Sequence, residues 1–522
     1  MVLWYSFPTD FLDRVPVRAY VIPPTRAEPP LILALDVGTS STRALLFDRR
    51  GRALAGVMAQ VPYAPRTTPD GGAELDPRRL FAAVCRVLDG CLRRGGARAK
   101  EIRGVATSMF WPSLLGMDRD GTPLTPCYTW ADMRSDDAAR GLREELDERA
   151  VHARTGCPIH PTFFPARLRW LRAAHPETVK RVATWGGFWE YLALRLFGRA
   201  AASLSLASGT GFLDQARCAW DAELLEAAMT TEDRLFPLAA ADAPLQGLRN
   251  AFARRWPPLA EVPWFPAVGD GACANIGSGC GSPQRVALTL GTSGAMRIVT
   301  AAEPGTLPWG LWRYRVDRRR SVVGGALSEG GNVVAWCRET LRLPDARTTE
   351  RKIAHLPAES HGLTVLPFFA GERSPGWSGR ARAAIVGLSL DHRPAHILKA
   401  AMEAVAYRFA LLYELLRGFA AEPHEIVASG GALVASPAWC QILSDVLGRP
   451  IRLSPQVEAS SRGAALLGLE ALGVITSLST QPTGGGRTFN PNPRRHEEYG
   501  EARTRQSRLY DQIVGSPRFL TY

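Results

Sequence analysis

The chain has 522 residues, 46% of them hydrophobic and 22% charged, and a formal net charge of +13. That balance is typical of a globular protein in water, and the length is too great for one core, so two domains of roughly 200 residues each are expected, with extensions. No apolar run reaches the ~18 residues of a membrane helix, and Asp10, Asp13 and Arg14 interrupt the opening segment, so membrane and secretory classes are not expected.

The positive charge reads as solvated arginine-rich faces. Its densest clusters, Arg313 to Arg320 and Arg494 to Arg508, carry few aromatics and no nucleic-acid motif, so no nucleic-acid partner is expected. The nine cysteines form no CxxC pair, and neither Cys85 with Cys91 nor Cys273 with Cys280 has structural-zinc spacing. Reduced thiols in a cytoplasm are expected.

In chain order, residues 1 to 30 are rich in proline and arginine and read as an extension outside the core. From Leu31 to Phe47 an apolar run is broken by Gly38, Thr39, Ser40, Ser41 and Thr42 and resumes at once, which predicts a strand, a tight turn and a strand. A third strand is expected near 53–61. Asp76-Pro77 then opens a helix as N-cap and first-turn proline, and Gly95-Gly96 stops it.

A strand over Ile102–Thr107 leads into an aromatic segment containing Trp111, Trp130, Asp132 and Arg134. Trp and Tyr beside an isolated acid and base suit a wall that stacks on a sugar-sized ligand. The same residues also suit a core tryptophan with a structural ion pair, and composition does not choose between them. Prolines between Trp256 and Pro266 predict the inter-domain crossing, giving an extension over 1–30, domains over 31–265 and 266–475, and a tail over 476–522. Asp270 follows, flanked by Gly269 and Gly271 at the mouth of a helix of small residues, either as a plain N-cap or as a group kept for chemistry.

The grammar of residues 31–47 recurs at 286–300, where Gly291, Thr292 and Ser293 break the run. Such a turn can simply close a hairpin. It can also aim successive backbone N–H groups into one concavity and cradle an anion. The copies differ two residues before each glycine, with Asp36 in the first and Thr289 in the second, so a carboxylate able to hold a phosphate-bound metal is expected only in the first. Farther on, Ser328-Glu329 lies between diglycines in a loop without a legible purpose. A long helix is expected over about 394–417. Strand 426–429, Gly430-Gly431 and a helix after Ser436-Pro437 bring backbone close enough to face a flat nucleoside.

Taken together, Asp36–Arg43, Gly269-Asp270-Gly271, Leu290–Gly294, Gly371–Pro375 and the block from Gly430 through Gln441 to Asp445 resemble the FGGY family of carbohydrate kinases, over about residues 31 to 515. The resemblance implies an α/β fold of two actin-like (ribonuclease-H-like) domains with a catalytic cleft between them. It also implies ATP and Mg²⁺ as cofactors and transfer of a phosphoryl group to a sugar, sugar-acid or polyol hydroxyl. Trp130–Arg134 and Thr155–Pro161 look most like the gluconate kinases, with a xylulose or other pentulose kinase as the alternative. One departure is that Trp111-Pro112 stands where relatives often place a polar pair such as Met-His.

The roles implied are Asp270 as proton acceptor for the attacking hydroxyl and Asp36 as metal holder. Gly38, Thr39, Ser40, Ser41 and Arg43 with Gly291, Thr292 and Ser293 would hold phosphates. Gly430, Gly431 and Ala432 would form the adenine wall, and Trp111, Asp132 and Arg134, with Asp270, the sugar side. The expected partners are a small-molecule sugar and ATP, and a homodimer is admitted. A rival from another class is an inactive ATP-binding regulator or scaffold of the same fold.

Overall fold

The computed structural model describes residues 20–239, 243–302, 305–456, 458–479, 481–482 and 484–515. Two seven-stranded sheets organise it on one shared plan. In the first, Leu31–Val37 pairs antiparallel with Ser41–Phe47, which pairs in turn with Ala59–Pro62. Ile102–Met109 lies parallel on the other side of Leu31–Val37, and Val268–Gly269 lies parallel beyond it. In the second, Arg285–Leu290 pairs antiparallel with Gly294–Ala301, which pairs with Arg320–Leu327. Glu425–Ser429 and then Ile451–Leu453 extend that sheet in parallel. Three antiparallel strands followed by two parallel ones, made twice, is the duplicated actin-like arrangement expected.

The central strands are apolar on both faces because both faces are covered. Leu31, Leu33, Leu35 and Val37 pack in one core with the helix Pro77–Gly95, while Ile32 and Ala34 pack in another with the helix Ala459–Ala471. Asp76 caps the first helix as expected, accepting from the backbone N–H groups of Arg78 and Arg79. The long helix runs Pro394–Leu416, and the tail forms the helix Pro493–Ile513, whose Tyr499 hydroxyl donates to the buried Glu403 at 2.8 Å. No described helix is long and apolar enough to cross a membrane.

The extension and the crossing differ from expectation. Residues 1–19 lie outside the described residues, but Val21–Ile22 pairs with Ala53–Leu54, so the extension joins the first sheet from that point. The proline-rich stretch before residue 266 is no linker: the Val105 N–H donates to Pro263 O and the Phe265 N–H to Val105 O, and Trp264 is fully buried. Prolines here sit along an irregular sheet margin, where a missing N–H costs little. The first sheet therefore continues to Gly269, past the boundary expected at 265.

Candidate active site

Strand register brings the key acids together. Asp36 and Val268 both sit opposite Ser108, one on each side of the strand Ile102–Met109. Strands lie about 4.8 Å apart, so the two backbones are separated by roughly 10 Å, and Asp270 begins the helix two residues beyond Val268. Gly269 is the N-cap of that helix and Asp270 its first residue, so the carboxyl is not used in capping. Burial pushes the Asp270 carboxyl up to about 7, the charge of Asp36 adds to this, and Arg297 opposes it. Burial also raises Asp36, with Arg43 opposing.

The helix bearing Asp270, Asp270–Gly277, is pressed against Ala459–Ala471. A β-carbon on Gly277 would lie 1.8 Å from Ala459 O, and one on Gly463 would lie 1.8 Å from Cys273 O. The run of small residues after Asp270 thus has a packing cause.

Both glycine turns are hairpin turns, closed by Gly38 N–H donating to Ser41 O and by Gly291 N–H donating to Ser293 O, each at 3.0 Å. No acceptor among the described residues takes the N–H groups of Thr39, Ser40, Thr292 or Ser293, as an anion cradle requires. Two glycine-led segments converge on the second turn. The Gly331 N–H donates to Gly291 O at 2.7 Å, a β-carbon on Gly330 would lie 2.9 Å from Thr292 O, and Gly430, with φ +107°, lies so close that a β-carbon would meet Leu290 O at 2.3 Å. A β-carbon on Gly331 would lie 3.6 Å from the Ala432 methyl, and beside this turn Gly431 is exposed and Ala432 partly buried against the second core. The loop around Ser328-Glu329 accordingly buttresses the second cradle.

Ser41 and Arg43 are engaged differently from expectation. Ser41 is buried in its strand and accepts from Arg43 at 3.0 Å instead of lining the turn. Arg43 donates to Glu458 at 2.7 Å and approaches Asp36 at 3.6 Å, so its charge already faces two carboxylates. Trp111 packs against the start of the helix that carries Asp270: a β-carbon on Gly269 would meet its ring at 2.3 Å, and its ring centroid is 4.6 Å from that of Tyr314. Asp132 and Arg134 are corrected to a structural role. Asp132, 2% exposed, accepts from the Ala73 N–H at 2.9 Å and from Arg134, whose guanidinium also reaches Glu74 at 2.8 Å and covers the ring of Trp170. A carboxylate with both oxygens so occupied has nothing left for a sugar.

Three residues were missed. Arg297 lies against Gly271, a β-carbon there being 3.4 Å from its Nε. Arg373 donates to Leu327 O at 2.8 Å and stacks over Trp130 across the cleft, 5.1 Å from the ring centroid. Glu329 is 1% exposed, neither of its oxygens has a hydrogen-bond partner, and burial raises its carboxyl to about 8. The signal for Arg297 was a lone arginine in an apolar strand: Met296 and Ile298 point into the second domain's core, so Arg297 points the other way.

Comparison with known proteins agrees with this geometry. The model of the N-terminal domain of the FGGY family of carbohydrate kinases matches residues 31–277, and that of its C-terminal domain matches residues 286–472. A gluconokinase of Bacillus subtilis is 30% identical over 474 residues, covering 88% of this chain and 91% of its own. A glycerol kinase of Leptothrix cholodnii is 31% identical, covering 88% and 95%. Among solved structures, a xylulose kinase and a gluconate kinase, both from Lactobacillus acidophilus, superpose with TM-scores of 0.87 and 0.86 at 26% identity, each over 93% of this chain and over 99% and 98% of their own. With both glycine turns, the acid pair and the duplicated sheet in place, this chain belongs to the FGGY family of carbohydrate kinases.

Proposed function

We propose that this carbohydrate kinase transfers the γ-phosphoryl group of ATP, bound with Mg²⁺, to a hydroxyl of a sugar acid, gluconate foremost. The observation that carries the reading is the position of Asp270. It starts a helix on the strand next but one to Asp36, and its neighbours Gly269 and Gly271 pack against the Trp111 ring and against Arg297 of the opposite domain. A carboxyl poised at about 7 is suited to accept a hydroxyl proton, a contribution of roughly 10²–10⁴ in rate.

The free N–H groups at Thr39, Ser40, Thr292 and Ser293 face the phosphates from two domains, and Gly430, Gly431 and Ala432 take the nucleoside side. Asp36 offers the hard oxygen that Mg²⁺ prefers, beside a turn with unclaimed N–H donors, so the residues present fit the ion. When bound there, Mg²⁺ supplies charge neutralisation on the phosphates. Closing the two domains aligns donor with acceptor and excludes water, with Trp111 and Tyr314 walling the sugar.

The gluconokinase relatives support gluconate, and the equally similar xylulose kinase structure supports a pentulose as the second reading. Purified protein with Mg-ATP should release ADP with gluconate in preference to xylulose, ribulose, erythritol and glycerol. Asp270→Asn, which keeps shape and removes basicity, should cut that turnover roughly a hundredfold or more with binding kept. Phosphorylation of none of these would favour the inactive-scaffold rival.

A further inference from the structure

We infer that Arg297 is the residue that reads the substrate's charge, its guanidinium receiving the carboxylate of a linear sugar acid at the end of the pocket beside Trp111 and Tyr314. The inference rests on the sugar-acid reading above and names the group that would enforce it.

The strand Gly294–Ala301 alternates, and Arg297 leaves it toward the first domain, away from the core that holds Met296 and Ile298. Two glycines make its path. A β-carbon on Gly324, its cross-strand neighbour, would lie 2.9 Å from Arg297 Cγ, and one on Gly271 would lie 3.4 Å from Nε and 3.7 Å from Cζ. The same point over Gly271 is 3.8 Å from the indole nitrogen of Trp111. The guanidinium therefore lies among the rings of the sugar side, beside the proton acceptor.

Its charge is not balanced by the described residues. Arg297 forms no ion pair there, and its Nη1 is buried without a hydrogen-bond partner. A buried cation left unpaired is costly, so this position makes sense when an anion fills it. Among the described residues Asp270 is the only carboxylate that draws on it, and the reading above gives that group to the reacting hydroxyl. Arg373 adds a second buried cation close enough to repel the first. Glu329, beside Arg373, is held largely protonated by burial. Arg297 thus keeps a buried Nη1 without a hydrogen-bond partner beside the helix that carries Asp270. A carboxylate matches a guanidinium with two parallel hydrogen bonds, and a neutral polyol leaves it unpaired.

The test compares gluconate with glucitol, which differs by having a hydroxymethyl group where the acid has its carboxylate. ADP release is measured for wild type, Arg297→Met and Arg297→Lys, with thermal melts to show that each variant folds. Expected is a wild-type preference for the acid, a rise in gluconate KM of roughly a hundredfold in Arg297→Met, and an acid-to-polyol preference that collapses while the KM for ATP stays within about twofold. Arg297→Lys should fall between, and added guanidinium ion should partly restore gluconate use by Arg297→Met. An unchanged preference in a folded variant overturns the inference alone. So does an equal loss on both substrates with a raised KM for ATP, which would assign the arginine to the phosphoryl group. A wild-type enzyme that takes only neutral sugars overturns the sugar-acid reading and the inference with it.

Discussion

Gly277 and Gly463 face each other where the helix that starts at Asp270 crosses Ala459–Ala471, and neither has room for a β-carbon. The obstructing atoms at both are backbone, which has no rotamer to yield. A single methyl at Gly463 must spread the helices, and Asp270 moves with them. Gly463→Ala should lower stability by about 2 kcal/mol or more, seen as a depressed Tm, and the folded fraction should lose turnover more than it loses ATP binding. An unshifted melt would refute the crossing.

The elevated carboxyl of Asp270 makes stability and activity run in opposite directions with pH. Its folded value of about 7 lies above the ordinary aspartate value of 3.8. The protonated form therefore adds stability below the unfolded value, and this is lost as pH rises through about 7. Asp270→Asn should melt higher than wild type at pH 8, by a margin on the order of a few kcal/mol, with the two curves converging toward pH 4. The proposed proton transfer needs the ionised form, so kcat/KM should rise with pH along an acid limb near 7. Because Arg297 lowers this pKa, Arg297→Met should move the limb upward. A flat profile between pH 5 and 8 would remove Asp270 from the proton transfer.

Local rules carried the elements and both hairpins. Apolar runs broken by Gly-Thr-Ser can hardly be read otherwise, and Asp76-Pro77 caps its helix as its side chain dictates. What local rules lacked was the partner. Asp132 and Arg134 look like a pair free to meet a sugar until Glu74 and the Ala73 N–H, remote in sequence, are seen to close the network. Arg297 and Glu329 are polar residues in apolar or glycine-rich surroundings, and what each one faces is set by segments remote in sequence. The proline-rich stretch before residue 266 was misplaced for a similar reason, since prolines mark a sheet margin as readily as a linker.

Asp36 should be separable from Asp270 by its metal dependence. Asp36→Asn keeps the turn and the Ser108 neighbour but loses the charge that would hold Mg²⁺. At fixed ATP the Mg²⁺ concentration for half-maximal ADP release should rise about tenfold or more, while gluconate binding is kept. Because the Asp36 charge helps to raise Asp270, the acid limb of the remaining activity should shift to lower pH. A variant with wild-type Mg²⁺ demand and an unmoved limb would exclude Asp36 from both roles.

The network around Asp132 predicts a mutant that loses stability without losing recognition. Asp132→Ala strips the acceptor from the Ala73 N–H and leaves the Arg134 guanidinium, only 12% exposed, with Glu74 as its remaining carboxylate. Removing one acceptor from this buried network costs about 1–3 kcal/mol, because the Ala73 N–H is left unsatisfied while Arg134 keeps Glu74. The denaturant midpoint should fall accordingly, with an unchanged slope. Assayed at a temperature where the variant is folded, its KM for gluconate should stay within about twofold of wild type, since the wall proposed for the sugar is Trp111, Tyr314 and Arg297 instead. A tenfold rise in KM with stability intact would return Asp132 to the substrate.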